Sequence, residues 1–240
     1  MPYVRSLRMY DKSSPESIRT LFGRIADDYD RANAVLSFGL YKGWNRALVK
    51  SLSAHGVTSL LDLCAGTGDI AFAFLKKEPQ THATLIDFCP EMLQKAHDKG
   101  KSLHERFFTL VGDAENIPLP DGFVNGVSIA YGVRNVSRPQ RCFQEVYRIL
   151  KPGGIVSILE LTQPASAFLR LGHTLYLKTL LPLLGKWVAK DQQAYEYLAK
   201  SIPAFILPKD LISLLEKQGF VTLSCKSLTG GIATLITCKK

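Results

Sequence analysis

Between residues 58 and 161 short apolar runs alternate with stretches of helical period, and this alternation limits the fold more than any other feature. The apolar runs fall near 58–63, 83–87, 107–111, 124–130 and 154–161, and helical spacing predicts helices over 69–77, 90–101 and 139–150. Strands alternating with helices build a parallel sheet covered on both faces. Further on, Phe220 to Ser227 and Ile232 to Cys238 are apolar runs joined by Leu228-Thr229-Gly230-Gly231, which predicts a terminal antiparallel pair. The expected fold class is α/β, with a mostly parallel seven-stranded sheet, an antiparallel C-terminal pair and helices on both faces.

The first strand-to-helix junction carries the chemistry. Thr58 to Asp69 reads Thr-Ser-Leu-Leu-Asp-Leu-Cys-Ala-Gly-Thr-Gly-Asp, and Gly66 and Gly68 permit a tight turn or a close backbone approach. Ligands of open α/β sheets sit at such carboxyl ends of strands. A dinucleotide loop reads G-x-G-x-x-G, and here Ala71 takes the third place. Two acids, Asp62 and Asp69, flank the glycines. Asp69 would put a carboxylate at a helix N-terminus, where a phosphate should dock, so it suits a ligand with positive charge. Asp87 ends the next apolar run, 21 residues after Gly66, the spacing of an acid that grips a ribose hydroxyl pair. A ribose and a cation without phosphate describe S-adenosylmethionine, the expected cofactor.

At 240 residues the chain fits one large domain. It divides into an N-terminal helical lid (1–56), a cofactor-binding core (57–163), a helical substrate-side insertion (164–207) and a C-terminal helix with a strand pair (208–240). Ser14-Pro15-Glu16 is read as a helix start, with Ser14 as N-cap. Met1 to Tyr10 carries Arg5 and Arg8 but no apolar core of a secretory signal, and no apolar run is long enough to span a bilayer, so a cytoplasmic location is expected. The five cysteines have an odd count and no C-x-x-C spacing, which points to neither a disulfide framework nor a metal site. The formal charge is +9, and from Leu161 to Lys190 there is no acid, while Arg170, Lys178, Lys186 and Lys190 punctuate an apolar segment. That pattern fits a basic amphipathic surface for a membrane, and equally an insertion packed on the core with its lysines solvated. Nucleic acid is not the expected partner: amino-group methylases place Asn/Asp-Pro-Pro-Tyr/Phe after the fourth strand, where this chain has Ala130-Tyr131-Gly132-Val133.

Four stretches together resemble the class I, Rossmann-like methyltransferases that C-methylate quinol rings in menaquinone and ubiquinone synthesis. They are Phe22 to Asp30 with Asn33, Ser37, Gly39 and Trp44; Asp62 to Asp69; Tyr131-Gly132-Val133-Arg134-Asn135-Val136 followed by Tyr147 to Gly154; and Tyr195 to Ile202 with Leu228 to Ile232. The glycine motif and Leu150-Lys151-Pro152-Gly153-Gly154 mark the superfamily, whereas the N-terminal stretch, the Gly-Val-Arg-Asn turn and the Leu-Thr-Gly-Gly-Ile tail mark the family. The chain departs from the family pattern at Ala65, where glycine is usual, and at Ala130, where serine is frequent.

The resemblance implies that the cofactor contacts are Thr67, Asp87, Asp113 and Ala114, joined by Gly66, Gly68, Asp69 and Ala130. Asp113 would accept from the adenine amino group, and Asp69 would meet the ammonium of the methionine end. Asp62 either holds the glycine turn through backbone N–H groups or touches the ligand. The implied acceptor is a lipophilic prenylated quinol, demethylmenaquinol first and a benzoquinol precursor of ubiquinone as the alternative. Peripheral contact with the inner face of the membrane goes with such an acceptor. An RNA or small-molecule methyltransferase is a further alternative, and a non-catalytic, membrane-peripheral cofactor-binding subunit is the reading from another class. A ring carbon attacks only when its neighbouring hydroxyl, with a pKa of roughly 10, is ionised or polarised. Arg134 is the candidate for that stabilisation, Asn135 for orienting it, and Tyr29 for bonding a quinol oxygen from a closing N-terminal segment. His173 is a weaker candidate base, and Phe168 to Val188 offers apolar surface for a prenyl tail.

Overall fold

A computed structural model describes residues 15–181 and 192–240. Arg5, Arg8, the expected cap Ser14, Lys186, Val188 and Lys190 lie outside the described residues, as does the side chain of Tyr195. Three helices come first: α1 (Pro15–Ile25), α2 (Tyr29–Leu36) and α3 (Tyr41–Ala54). The alternating region follows as β1 (Ser59–Leu63), α4 (Asp69–Lys77), β2 (His82–Asp87), α5 (Pro90–Lys99), β3 (Phe107–Val111), β4 (Val124–Ala130), α6 (Pro139–Ile149) and β5 (Leu150–Leu161). Then come α7 (Ala167–Leu175), α8 (Gln192–Ala204), α9 (Pro208–Glu216), β6 (Val221–Leu228) and β7 (Ala233–Lys239).

The seven strands form one sheet in the order β3-β2-β1-β4-β5-β7-β6. β1 to β5 pair in parallel, and β7 runs antiparallel between β5 and β6. Strand side chains alternate between faces, and the two cores follow that period. Leu61, Leu63, Val156 and Ile158 join α6 and α9 on one face; Leu60, Ile155 and Leu159 join α3, α4 and α5 on the other. The chain order reverses between β1 and β4, so the crevice at their carboxyl ends is where such sheets bind ligands.

A third, smaller cluster lies apart from both faces. Ile25, Ala32 and Leu36 pack with Met92, Leu177, Leu181 and Ile202. It draws on α1, α2, α5, α8 and the segment after α7. The Tyr176 hydroxyl donates to the carbonyl of Leu36, tying that segment to α2.

Three local features differ from expectation. β5 starts at Leu150, not 154, because Leu150 already pairs with Val124 before a register shift restores the ladder at Gly126. The helical material after 164 is not uniform: α7 passes into a wider π turn over Tyr176–Leu180. α2 has no expected counterpart, its eight residues being too few for a clear apolar period. Among the described residues, no helix is long and apolar enough to cross a membrane.

Candidate active site

The strand ends deliver their loops to a cleft of ≈300 Å³ lined by Gly66, Asp87, Asp113, Ala114, Ala130 and Asn135, with Phe88 and Met92 as apolar neighbours. An inner cavity of ≈100 Å³ is mostly apolar and takes in Arg134, His173, Tyr176 and Leu198. A third space of ≈40 Å³ lies by Thr67, Asp69 and Ala130. Tyr29 and Tyr131 line all three, so these two rings stand where the spaces meet.

The glycine turn is held by acids from two strands. Asp62, almost fully buried in β1, accepts from the Ala71 N–H at 3.1 Å and from the Ser128 hydroxyl at 2.7 Å. It thereby caps α4 from outside the helix and lines only the smallest space. Burial pushes its pKa up to about 7. Asp87 accepts from the Gly66 N–H at 2.8 Å through one oxygen and from the Cys89 N–H at 2.9 Å through the other. A carboxylate offers about four lone-pair sites, so Asp87 keeps acceptor capacity toward the cleft that it lines. Burial raises its pKa while those backbone donors pull it back.

Gly68 reaches none of the three spaces. Its φ is +80°, and a Cβ there would stand 2.5 Å from the Phe72 ring, so it serves the turn and the packing of α4 and is no lining residue. Gly132 is constrained in the same way, since a Cβ would meet Cys64 at 2.5 Å. Cys64 lines the main cleft, but burial raises its thiol well above the ordinary range, which leaves it no nucleophile. Asp113 is exposed at the rim, where it accepts from the Glu115 N–H at 2.8 Å, and Ala114 is buried beside it.

Asp69 and Thr67 already have a protein cation. The Lys99 ammonium, at the end of α5, pairs with Asp69 at 2.7 Å and with Asp30 of α2, and it donates to the Thr67 hydroxyl at 2.9 Å. Thr67 in turn donates to Asp30 at 2.6 Å. One lysine thus clasps the N-terminal α2 to the glycine turn. Sequence reasoning missed Lys99, and a cation on the last turn of a helix carries no local sign of such a role.

The other missed residue is Glu160. Arg134, in the turn Val133–Asn135, is buried and ion-paired to Glu160, itself almost fully buried in β5. Burial alone would lower the Arg134 pKa, and Glu160 together with Tyr29 and Tyr197 more than offsets this, keeping the guanidinium charged. An acid inside the apolar run Ile155 to Leu161 was a visible signal, since buried carboxylates almost always have a partner. Asn135 accepts from the Tyr197 hydroxyl of α8 at 2.8 Å, and burial raises the pKa of Tyr29. His173 lines the inner cavity, and burial lowers its pKa, so it is held neutral.

The inner cavity is built from stretches far apart in sequence. Asn33, Ser37 and Trp44 come from the N-terminal helices, Tyr131 and Arg134 from the turn after β4, Leu198 and Ile202 from α8, and Ile232 from the tail. Trp44 Nε1 donates to the Thr229 hydroxyl at 2.8 Å, joining the first of these to the last.

The family model of the ubiE/COQ5 methyltransferase family matches residues 10–240. The chain belongs to that family. A protein of Protochlamydia amoebophila named demethylmenaquinone methyltransferase is 47% identical over 95% of this chain and 96% of its own length. A Dinoroseobacter shibae protein named ubiquinone/menaquinone biosynthesis C-methyltransferase is 34% identical, covering 91% and 88%. Solved structures share the fold at lower identity. A possible histamine N-methyltransferase from Thermotoga maritima has a TM-score of 0.63 at 18% identity, over 92% of this chain and 99% of its own. An S-adenosylmethionine-dependent methyltransferase from Aquifex aeolicus reaches 0.58 at 19%, over 79% and 87%. The cyclase SpnF reaches 0.60 at 17% over 82% and 79%, so the architecture alone does not name a reaction. In this member of the ubiE/COQ5 family, Tyr29, Asn33, Ser37 and Trp44 of the N-terminal stretch, Arg134 of the turn after β4 and Ile232 of the tail line the inner cavity.

Proposed function

We propose that this chain moves the methyl group of S-adenosylmethionine to a ring carbon of a prenylated quinol, with demethylmenaquinol as acceptor. The observation that carries the reading is the meeting of two unlike spaces at Tyr29 and Tyr131: a polar-rimmed cleft at the sheet switch point and an apolar cavity holding one buried cation. The cleft fits the cofactor. Asp87 has acceptor capacity for a ribose hydroxyl pair, Asp113 lies at the next strand end for the adenine, and Phe88, Met92 and Ala114 supply apolar contact. Thr67 and Asp69 line the space left for the methionine end, and Lys99 pairs with Asp69.

When bound, S-adenosylmethionine supplies an electrophilic methyl group on a sulfonium. The protein must then exclude water and hold the acceptor carbon in line with it. Tyr29 and Tyr131 close the junction, and Arg134 would stabilise the negative charge left on the ring oxygen when its hydroxyl proton passes to solvent. That charge would return through the ring as the carbon takes the methyl group and the bond from methyl to sulfur breaks. The ring proton would then pass to solvent and the oxygen regain a proton, which restores the aromatic quinol. The inner cavity is smaller than the usual range for small-molecule sites, about 300–1,000 Å³. Acceptor entry therefore requires α2 and the segment after α7 to give way. Those elements are held by the small third core, by the Tyr176–Leu36 hydrogen bond and, for α2, by the Lys99 clasp, and neither large sheet core includes them, which favours opening at this side.

α7 supports delivery from a membrane surface. It buries none of its own residues, exposes Phe168 by 84% and Leu171 by 72%, and carries Arg170 without any acid. An anionic bilayer would accept that face. The deciding assay incubates the protein with methyl-labelled cofactor and demethylated naphthoquinol or benzoquinol, carried in anionic or neutral vesicles. Label on the naphthoquinol ring, faster from anionic vesicles, is the expected result; label on the benzoquinol alone would replace the acceptor, and label on neither would reject the reading.

A further inference from the structure

We infer that Glu160 is a positioning residue for methyl transfer, acting through Arg134. The inference rests on the proposed role of Arg134 toward the acceptor and adds a residue that lines none of the three spaces.

The geometry is that of a clamp. One Glu160 carboxylate oxygen accepts from Arg134 Nη1 and from the Leu161 N–H at 2.9 Å; the other accepts from the Arg134 backbone N–H at 3.3 Å. Two of these donors are backbone groups, so the carboxylate is fixed to the end of β5 and to the turn that carries Arg134. It cannot rotate freely, and the guanidinium it holds cannot either. Among the described residues Arg134 Nε is buried without a hydrogen-bond partner. A buried N–H with no partner costs free energy, and Arg134 itself lines the inner cavity proposed for the acceptor.

A stability role alone accounts poorly for the pair. Two fully desolvated charges are often no better than apolar residues of the same volume. Arg134 without Glu160 would be an uncompensated buried charge, free to turn toward other acceptors. With Glu160 the guanidinium is held at one fixed place in the wall of the cavity. Misplacing such a group by about 1 Å can cost on the order of 100-fold in rate.

The test uses the full chain, with Glu160→Gln and Glu160→Asp. Glutamine keeps an acceptor for Nη1 and the Leu161 N–H but removes the charge and turns an NH2 group toward the Arg134 backbone N–H. Aspartate keeps the charge but draws it back by one methylene, and it is the variant better placed to fold. Both are expected to lower kcat by about 10–100-fold, while the quinol KM and the affinity for S-adenosylhomocysteine by calorimetry stay unchanged. Wild-type kcat in either folded variant overturns the inference, as does an equal loss in kcat, KM and calorimetric affinity, which marks a structural acid only. Should the wild-type protein itself methylate no quinol, the underlying reading fails first, and the two failures are thereby told apart.

Discussion

The main cleft and the inner cavity meet at Tyr29 and Tyr131 but are assembled in opposite ways. Most of the cleft's lining is the end of one strand or the loop that follows it, Gly66 after β1, Asp87 at the end of β2, Asp113 after β3 and Ala130 at the end of β4, with Phe22, Tyr29 and Met92 added from α1, α2 and α5. The sheet places them, and its two large cores hold the sheet. The inner cavity has no such frame. Residues from Asn33 to Ile232 complete it, and its roof depends on the small third core. A rigid cleft beside a cavity roofed by a separate small core suits a reaction in which one ligand binds a preformed site and the other must be let in.

The comparison breaks most sharply at Arg134 and Asp87. Arg134→Ala should lower kcat by on the order of 10²–10³-fold, as for loss of one charge-stabilising donor, with cofactor affinity nearly unchanged. It also leaves Glu160 buried and unpaired, a loss of about 3–5 kcal/mol in stability, so denaturant unfolding is measured alongside. Asp87→Asn should do the reverse. Charge-assisted hydrogen bonds contribute roughly 1.5–3 kcal/mol, so affinity for the cofactor falls by about 10–100-fold while kcat at saturation holds. Equal losses of kcat and affinity in both variants would mean that the two spaces act as one site.

A smaller effect tests the clasp between them. Lys99→Met keeps the length of the side chain and removes its charge, leaving Asp30 and Asp69 near the glycine turn without the ammonium. The groups are partly exposed, so the loss is modest, about 0.3–1 kcal/mol for each pair. Cofactor affinity should fall by about two- to fivefold on that scale, and amide exchange over 29–36 should quicken. If exchange there is unchanged, α2 is held by its packing alone.

What could be read from the chain divides along the same line. The strand-to-helix alternation, the glycine turn and Asp87 each sit within a few residues of the structure they define, so period and spacing reveal them, whereas Asp113 came with the family resemblance. Arg134 and Glu160 are 26 residues apart, and Trp44 and Thr229 are 185 apart. Only tertiary packing brings such pairs together; the family resemblance supplied Arg134, Trp44 and Thr229 without their contacts and did not supply Glu160. Lys99 shows the limit in another way: Asp69 was expected to face a cation of the ligand, and the fold supplies one from α5. Gly68 erred in the other direction, since a glycine in a binding motif can serve the turn alone. Glu160 was legible in principle, as a charge inside an apolar strand.

Asp62 marks the boundary between holding the site and forming it, and its titration gives the finest test. Its buried carboxyl has a pKa of about 7 in the folded protein, against about 3.9 in an unfolded chain. The folded state therefore binds the proton more tightly, and the stability contributed is complete below pH 4 and lost as pH rises through 7. Between pH 6 and pH 8 the protein should lose about 1 kcal/mol from this group. Asp62→Asn removes the titration yet can still accept from Ala71 N–H, while Ser128 turns to accept from the amide. Urea unfolding of the variant should thus show a flatter profile over that interval, with S-adenosylhomocysteine affinity close to wild type. A variant whose stability still falls in parallel with the wild type would move the titration to Asp87, the other buried carboxylate of the turn. An Asp62→Asn protein that folds but binds no cofactor would instead make Asp62 part of the cleft.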